Sequence, residues 1–88
     1  MYKPKNSKER IAHRLKISLG HIKKVIQMVE DGEYCIDIIH QSQALQKALK
    51  EADHLILENH LKTCASKAIR EGKEKKAIEE IMSIIKKT

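Results

Sequence analysis

From Glu33 to Glu71 the chain reads EYCIDIIHQSQALQKALKEADHLILENHLKTCASKAIRE, with no glycine or proline between Gly32 and Gly72. Glycine and proline are the residues that most disfavour a helix interior, so their absence over this span predicts one long helix. It starts near Glu33 or Tyr34 and runs for some 30 residues or more, which is long for a globular domain. Ile38, Leu45, Leu49, Ala52 and Ile56 recur at helical spacings, with Ala48, Leu55 and Leu57 beside them. That apolar surface is wider than one partner helix covers, which argues for burial in a bundle or an oligomer.

Upstream, Ile11, Leu15, Leu19, Ile22, Ile26 and Val29 form a second apolar stripe at spacings of three and four. Asn6 or Ser7 is suited to cap this helix, and Pro4 before it fits an entry segment, not a helix interior. Gly20 interrupts the stripe at a cost of about 1 kcal/mol against alanine, which suggests close approach of another helix. Asp31-Gly32 marks the stop, with Gly32 a left-handed C-terminal residue. Downstream, Gly72 breaks the chain and a short third helix places Ala77, Ile78, Ile81, Met82 and Ile85 on one face. There is no strand-like alternation. The expected fold is all-α, three helices ordered long, longer, short, in a single domain spanning residues 1–88.

Among the 88 residues there is no Trp or Phe, and the two aromatics are Tyr2 and Tyr34, so the core must come from Ile, Leu, Val, Ala and Met. A chain this short buries little of its surface alone and commonly needs a staple or a partner. No apolar run approaches the roughly 20 residues that span a bilayer, and no signal peptide opens the chain, so a cytoplasmic protein is expected.

The net charge of +6 is uneven. Lys3, Lys5, Lys8, Arg10, Arg14, Lys16, Lys23 and Lys24 face Glu9 alone within the first 24 residues, while the remainder is nearly neutral. Such a basic segment is the footprint of a polyanion-binding surface, or else a solvated helix face. No short recognition helix and no aromatic residues interleaved for base stacking are present. Any duplex contact must therefore use an extended basic surface. Catalysis has little to draw on: there is no phosphate-binding loop, no oxyanion-hole segment and few loops at all. His13, His21, His40 and His54 are scattered without a shared ligand spacing and read as surface or interface residues.

Cys35, His60 and Cys64 are the residues with chemistry to offer. His60 and Cys64 stand four apart, on one face of a helix. Cys35 lies twenty-five positions before His60 on the same helix, roughly 37 Å away at 1.5 Å per residue. No metal ion bridges that distance, and neither does a disulfide, whose Cα atoms sit within about 7 Å. If the three form one site, two chains must build it with their helices antiparallel. Two thiolates and an imidazole suit Cu(I) or Zn(II), and three ligands without a fourth favour Cu(I). The alternative is that both cysteines are packing residues on apolar faces.

Taken together, HRLKISLGHIKKVIQMVEDGEYCIDII, QALQKAL, ENHLKTC and AIEEI resemble the copper-sensitive operon repressors, the CsoR/RcnR family of bacterial metal-sensing transcriptional regulators. The resemblance covers nearly the whole chain, and its specific part is Tyr-Cys opening the second helix with Asn-His-Leu-Lys-Thr-Cys closing it. It implies an antiparallel dimer assembling into a four-fold, disc-like homotetramer. It also implies Cu(I) held by Cys35 of one protomer with His60 and Cys64 of the other, and Tyr34 and Glu80 as outer partners of the site. Nickel and cobalt sensors of the family carry His in place of Cys64 and a further N-terminal His, whereas position 3 here is Lys. Formaldehyde sensors lack the second Cys, and persulfide sensors lack the His. The function expected is a Cu(I)-responsive repressor that binds double-stranded operator DNA when metal-free and releases it on metal loading, controlling copper-resistance and export genes. Alternatives are a thiol- or persulfide-responsive repressor of the same fold, or a helical interaction module that senses nothing. Arg14 matches a basic family position, but Leu19 stands where many relatives carry Arg, and Lys50 precedes Glu51 where a basic residue often follows. Arg14, Lys16, Lys47 and Lys50 are the expected DNA contacts.

Overall fold

The computed structural model describes residues 6–87, which are helix and turn with no strand among them. The entry segment at Pro4, together with Lys3 and Lys5 of the basic cluster, lies outside these residues. Helix α1 runs Ser7–Glu30, capped by Asn6, whose Oδ1 accepts a hydrogen bond from the Glu9 backbone N–H at 2.8 Å. Helix α2 runs Cys35–His60. A π-helical turn, Leu61–Ala65, carries it directly into the short α3, Ser66–Arg70. Helix α4 runs Glu74–Lys87. The expected long, longer and short helical rods are therefore present, and the second is not uniformly α-helical.

The two glycine stops act alike. Gly32 and Gly72 have φ of 66° and 78°, the left-handed region that costs an L side chain most. At each, the next N–H reaches back five residues, Glu33 to the Met28 carbonyl at 3.0 Å and Lys73 to the Ala68 carbonyl at 2.7 Å. These bonds take up carbonyls that the ended helix leaves unpaired. Gly20 has no such role, for a Cβ there would meet nothing within 4 Å. The close approach expected at Gly20 is not made among the described residues.

The chain divides into two compact units, the first ending at Ile56 and the second beginning at Leu57. In the first, α1 and α2 are antiparallel. His21 pairs with Gln41 through Nε2 and Oε1 at 3.0 Å, and Arg14 meets Glu51 at 3.6 Å, so positions descending α1 face positions ascending α2. Ser18, Met28 and Ala52 are buried, while Val25, Ile38, Leu45, Ala48, Leu49 and Leu55 are half-buried. The stripe identified from periodicity is turned outward instead: Leu15, Leu19, Ile22, Ile26 and Val29 are exposed, Val29 by 59%. Periodicity identifies residues that share a face, but not whether that face meets the same chain or another.

In the second unit α4 contacts α3, and Ala65 and Ala77 are buried. Of the face expected on α4, Ala77 is buried and Ile81 half-buried, whereas Ile78, Met82 and Ile85 are exposed. Glu74 in the first turn and Lys86 and Lys87 in the last complement the dipole of α4. Among the described residues, no helix is long and apolar enough to cross a membrane.

Candidate functional site

His60 is the last residue of α2, and Cys64 falls inside the π-helical turn that follows. Widening the backbone bonds to i→i+5 leaves carbonyls short of partners, and side chains compensate. The Thr63 hydroxyl donates to the Asn59 carbonyl at 2.8 Å, and the Ser66 hydroxyl to the Leu61 carbonyl at 2.6 Å. Lys62 pairs with Glu58 at 2.9 Å on the outer surface. The Thr63 hydroxyl oxygen also lies 3.7 Å from Cys64 Sγ. The turn thus carries its own supports, and one of them touches the sulfur.

Both His60 and Cys64 line a cleft of about 330 Å³ in the second unit. Its floor is small, with Ala65, Ala68 and Ala77, and its rim is charged, with Glu71 and Glu80 facing Lys67, Lys73 and Lys76. Glu80, expected as an outer partner, is therefore in the same cleft as the candidate ligand His60. The lysines were not anticipated. Lys67 was open to detection, since it follows Cys64 by three and His60 by seven on the same rod. Lys73 and Lys76 arrive only because the turn at Gly72 leads α4 back against α3.

Cys35 is the first residue of α2, preceded by Tyr34, which is 67% exposed and whose carbonyl accepts the Ile38 N–H at 3.2 Å. Both cysteines are free and exposed. Among the described residues, no group of three His, Cys, Asp or Glu side chains in one chain gathers to hold a metal. The donor types suit a soft monovalent ion, two accessible thiols and one imidazole, and the Glu80 carboxylate lines the same cleft as the imidazole.

The expected DNA contacts belong to α1 and α2. Lys16, Lys47 and Lys50 are exposed, and the Arg14 guanidinium is engaged by Glu51 across the hairpin.

Residues 7–87 match the family described as metal-sensitive transcriptional repressor. The chain belongs to that family. It is 39% identical over its full length to the copper-sensing transcriptional repressor CsoR of Mycobacterium tuberculosis, covering 75% of that protein. With the protein of the same description from Bacillus subtilis it shares 36% identity over 98% of this chain and 85% of the relative. Its structure is similar to the crystal structure of the copper-sensing repressor CsoR with Cu(I) from Geobacillus thermodenitrificans, with a TM-score of 0.85 and 41% identity over 99% of this chain and 91% of that one. Members of this repressor family are regulators, not enzymes, and a transcriptional repressor acts on DNA. The basic residues of α1 and α2 carry the charge such a partner requires.

Proposed function

We propose that the chain is a Cu(I)-responsive transcriptional repressor that binds operator DNA when metal-free and releases it when Cu(I) binds, controlling copper-resistance and export genes. One observation carries this reading: His60 and Cys64, an imidazole and a thiol, share a cleft with Glu80 in a chain of the metal-sensitive repressor family. Cys35 of one protomer would join His60 and Cys64 of the other, a set of two thiolates and one imidazole that suits Cu(I). Glu80 is the acceptor for the second nitrogen of His60, and Tyr34 flanks Cys35. Fixing the imidazole in this way would link ligand binding to α4. The effect on DNA is then a difference in free energy between two states of the assembly, favouring one with ligand and the other without.

The assembly in this reading is an antiparallel homodimer that pairs into a four-fold, disc-like homotetramer, with residues 1–88 acting as one metal-sensing and DNA-binding domain in the bacterial cytoplasm. The exposed stripe of α1 supports it, since isolated chains seldom leave so many large aliphatic side chains in water. Arg14, Lys16, Lys47 and Lys50 are assigned to the phosphates of double-stranded operator DNA.

The exposure of both thiols favours a second reading, a thiol-responsive repressor in which Cys35 and Cys64 of different chains join through a disulfide or polysulfide. An anaerobic titration separates the two. Cu(I) buffered by a competing chelator is added to the protein bound to duplex DNA from its own promoter, and anisotropy follows release. Tight Cu(I) binding with loss of DNA affinity is expected. Binding without release would sink the copper reading, and release by polysulfide alone would install the second.

A further inference from the structure

The Arg14–Glu51 pair joins α1 to α2, unlike the ion pairs Glu58–Lys62 and Glu71–Lys73, which join near neighbours in sequence. It also sits in a place of its own, an open cleft of about 170 Å³ lined by Arg14, Glu51, His54 and Leu55. A carboxylate and a phosphodiester are alternative anionic acceptors for the same guanidinium donors. One further cation shares the face of Glu51: Lys47 is one helical turn before it and exposed. Arg14 and Glu51 are each about half exposed, at 46% and 51%, and lie 3.6 Å apart. A pair so placed is held by little free energy and yields to a stronger polyanion.

We propose that this cleft is a seat for a backbone phosphate of duplex DNA, and that Glu51 occupies it as an internal stand-in while DNA is absent. The proposal rests on the reading that duplex DNA is the partner of α1 and α2. Glu51 then sets the strength of DNA binding without touching DNA. To seat a phosphate, Arg14 must first leave Glu51, and the freed carboxylate draws a cation from solution. That uptake offsets part of the counterion release that drives association.

The test measures duplex binding by anisotropy across a salt series, using the promoter duplex and a random-sequence duplex of equal length. Compared are the wild type, Glu51→Gln, Arg14→Ala, the double variant, and Glu30→Gln as an equal change of charge at the far end of α1. Circular dichroism checks that each is folded. Glu51→Gln is expected to tighten binding to both duplexes by roughly 1.5- to 5-fold, the range of an exposed ion pair. The dependence of log K on log salt should steepen by up to about 0.9, one phosphate's share. The gain should vanish in the Arg14→Ala background. A gain no larger than that of Glu30→Gln, or one that persists without Arg14, overturns the proposal. So does unchanged DNA affinity in Arg14→Ala itself. A wild type that binds duplex but is not released by Cu(I) defeats the copper reading and leaves this one standing. A wild type that binds neither duplex defeats both.

Discussion

The two units use their aliphatic residues in opposite ways. In the α1–α2 hairpin the buried positions include Ser18 and Ala52, a His21–Gln41 hydrogen bond crosses between the helices, and the large side chains Leu19, Ile26 and Val29 lie outside. In the C-terminal unit, alanines at 65 and 77 are buried and a charged-rimmed cleft lies beside His60 and Cys64. The hairpin presents exposed surface, apolar along α1 and basic at Lys16, Lys47 and Lys50. The C-terminal unit presents space for a small ligand. In the proposed regulator a second chain would cover the hairpin stripe and bring a second thiol to the cleft.

The largest expected effect comes from the thiols. Cys35→Ser and Cys64→Ser should each cost Cu(I) affinity more than the roughly 10- to 100-fold typical of losing an outer partner. Each alone should abolish copper-dependent release. Mixing the two variants then breaks or keeps the shared-site argument. A dimer containing one chain of each has one complete set, Cys35 from the Cys64→Ser chain with His60 and Cys64 from the Cys35→Ser chain. Chelator competition should recover tight binding in the refolded mixture. If the mixture binds no better than its components, the three residues do not form a site between chains.

Next in size is the outward stripe. Burying an isoleucine contributes about 1.5–3 kcal/mol, so Ile26→Glu should weaken assembly by roughly tenfold or more. Sedimentation velocity reads this as a shift to smaller species at concentrations where the wild type stays assembled. An unchanged distribution would mean that the stripe is not the covered face. Glu80→Gln should act more narrowly. It keeps all three ligands, so Cu(I) affinity falls by no more than about 100-fold. DNA release at saturating Cu(I) should nonetheless be blunted. Full release by Glu80→Gln would remove α4 from the coupling.

How much of this was legible beforehand follows from the range over which each feature is determined. The cap at Asn6 and the stops at Gly32 and Gly72 are set by residues within a turn of each other, and the sequence pattern located them. The outward turn of the stripe was not legible, because an amphipathic pattern looks the same whether its cover is the same chain or a copy. The π-helical turn was hidden too. His60 and Cys64 four apart read as ordinary α-helix, and the hydroxyls of Thr63 and Ser66 that support the wider turn have many other uses. At the site, the shared face of His60 and Cys64 was legible from their spacing of four, whereas the lysines on the rim and the Arg14–Glu51 pair depend on contacts between separate helices.

The smallest effect concerns Gly20, and it tests the hairpin's exposure most directly. Within the chain a Cβ at this position meets nothing within 4 Å, and the residue lies inside α1. With only solvent around it, Gly20→Ala should stabilise the helix by about 0.5–1 kcal/mol. The melting temperature should rise by a few degrees, on the order of 4–8 °C per kcal/mol in a domain of this size. If another copy packs its backbone against α1 at Gly20, the added methyl collides with it. The sign then reverses, and the loss appears as a melting temperature that falls more at concentrations where the wild type is assembled. A rise at every concentration would place the covered part of the stripe away from Gly20. A fall confined to the assembled protein would place a partner helix directly against it, where the sequence led us to expect one.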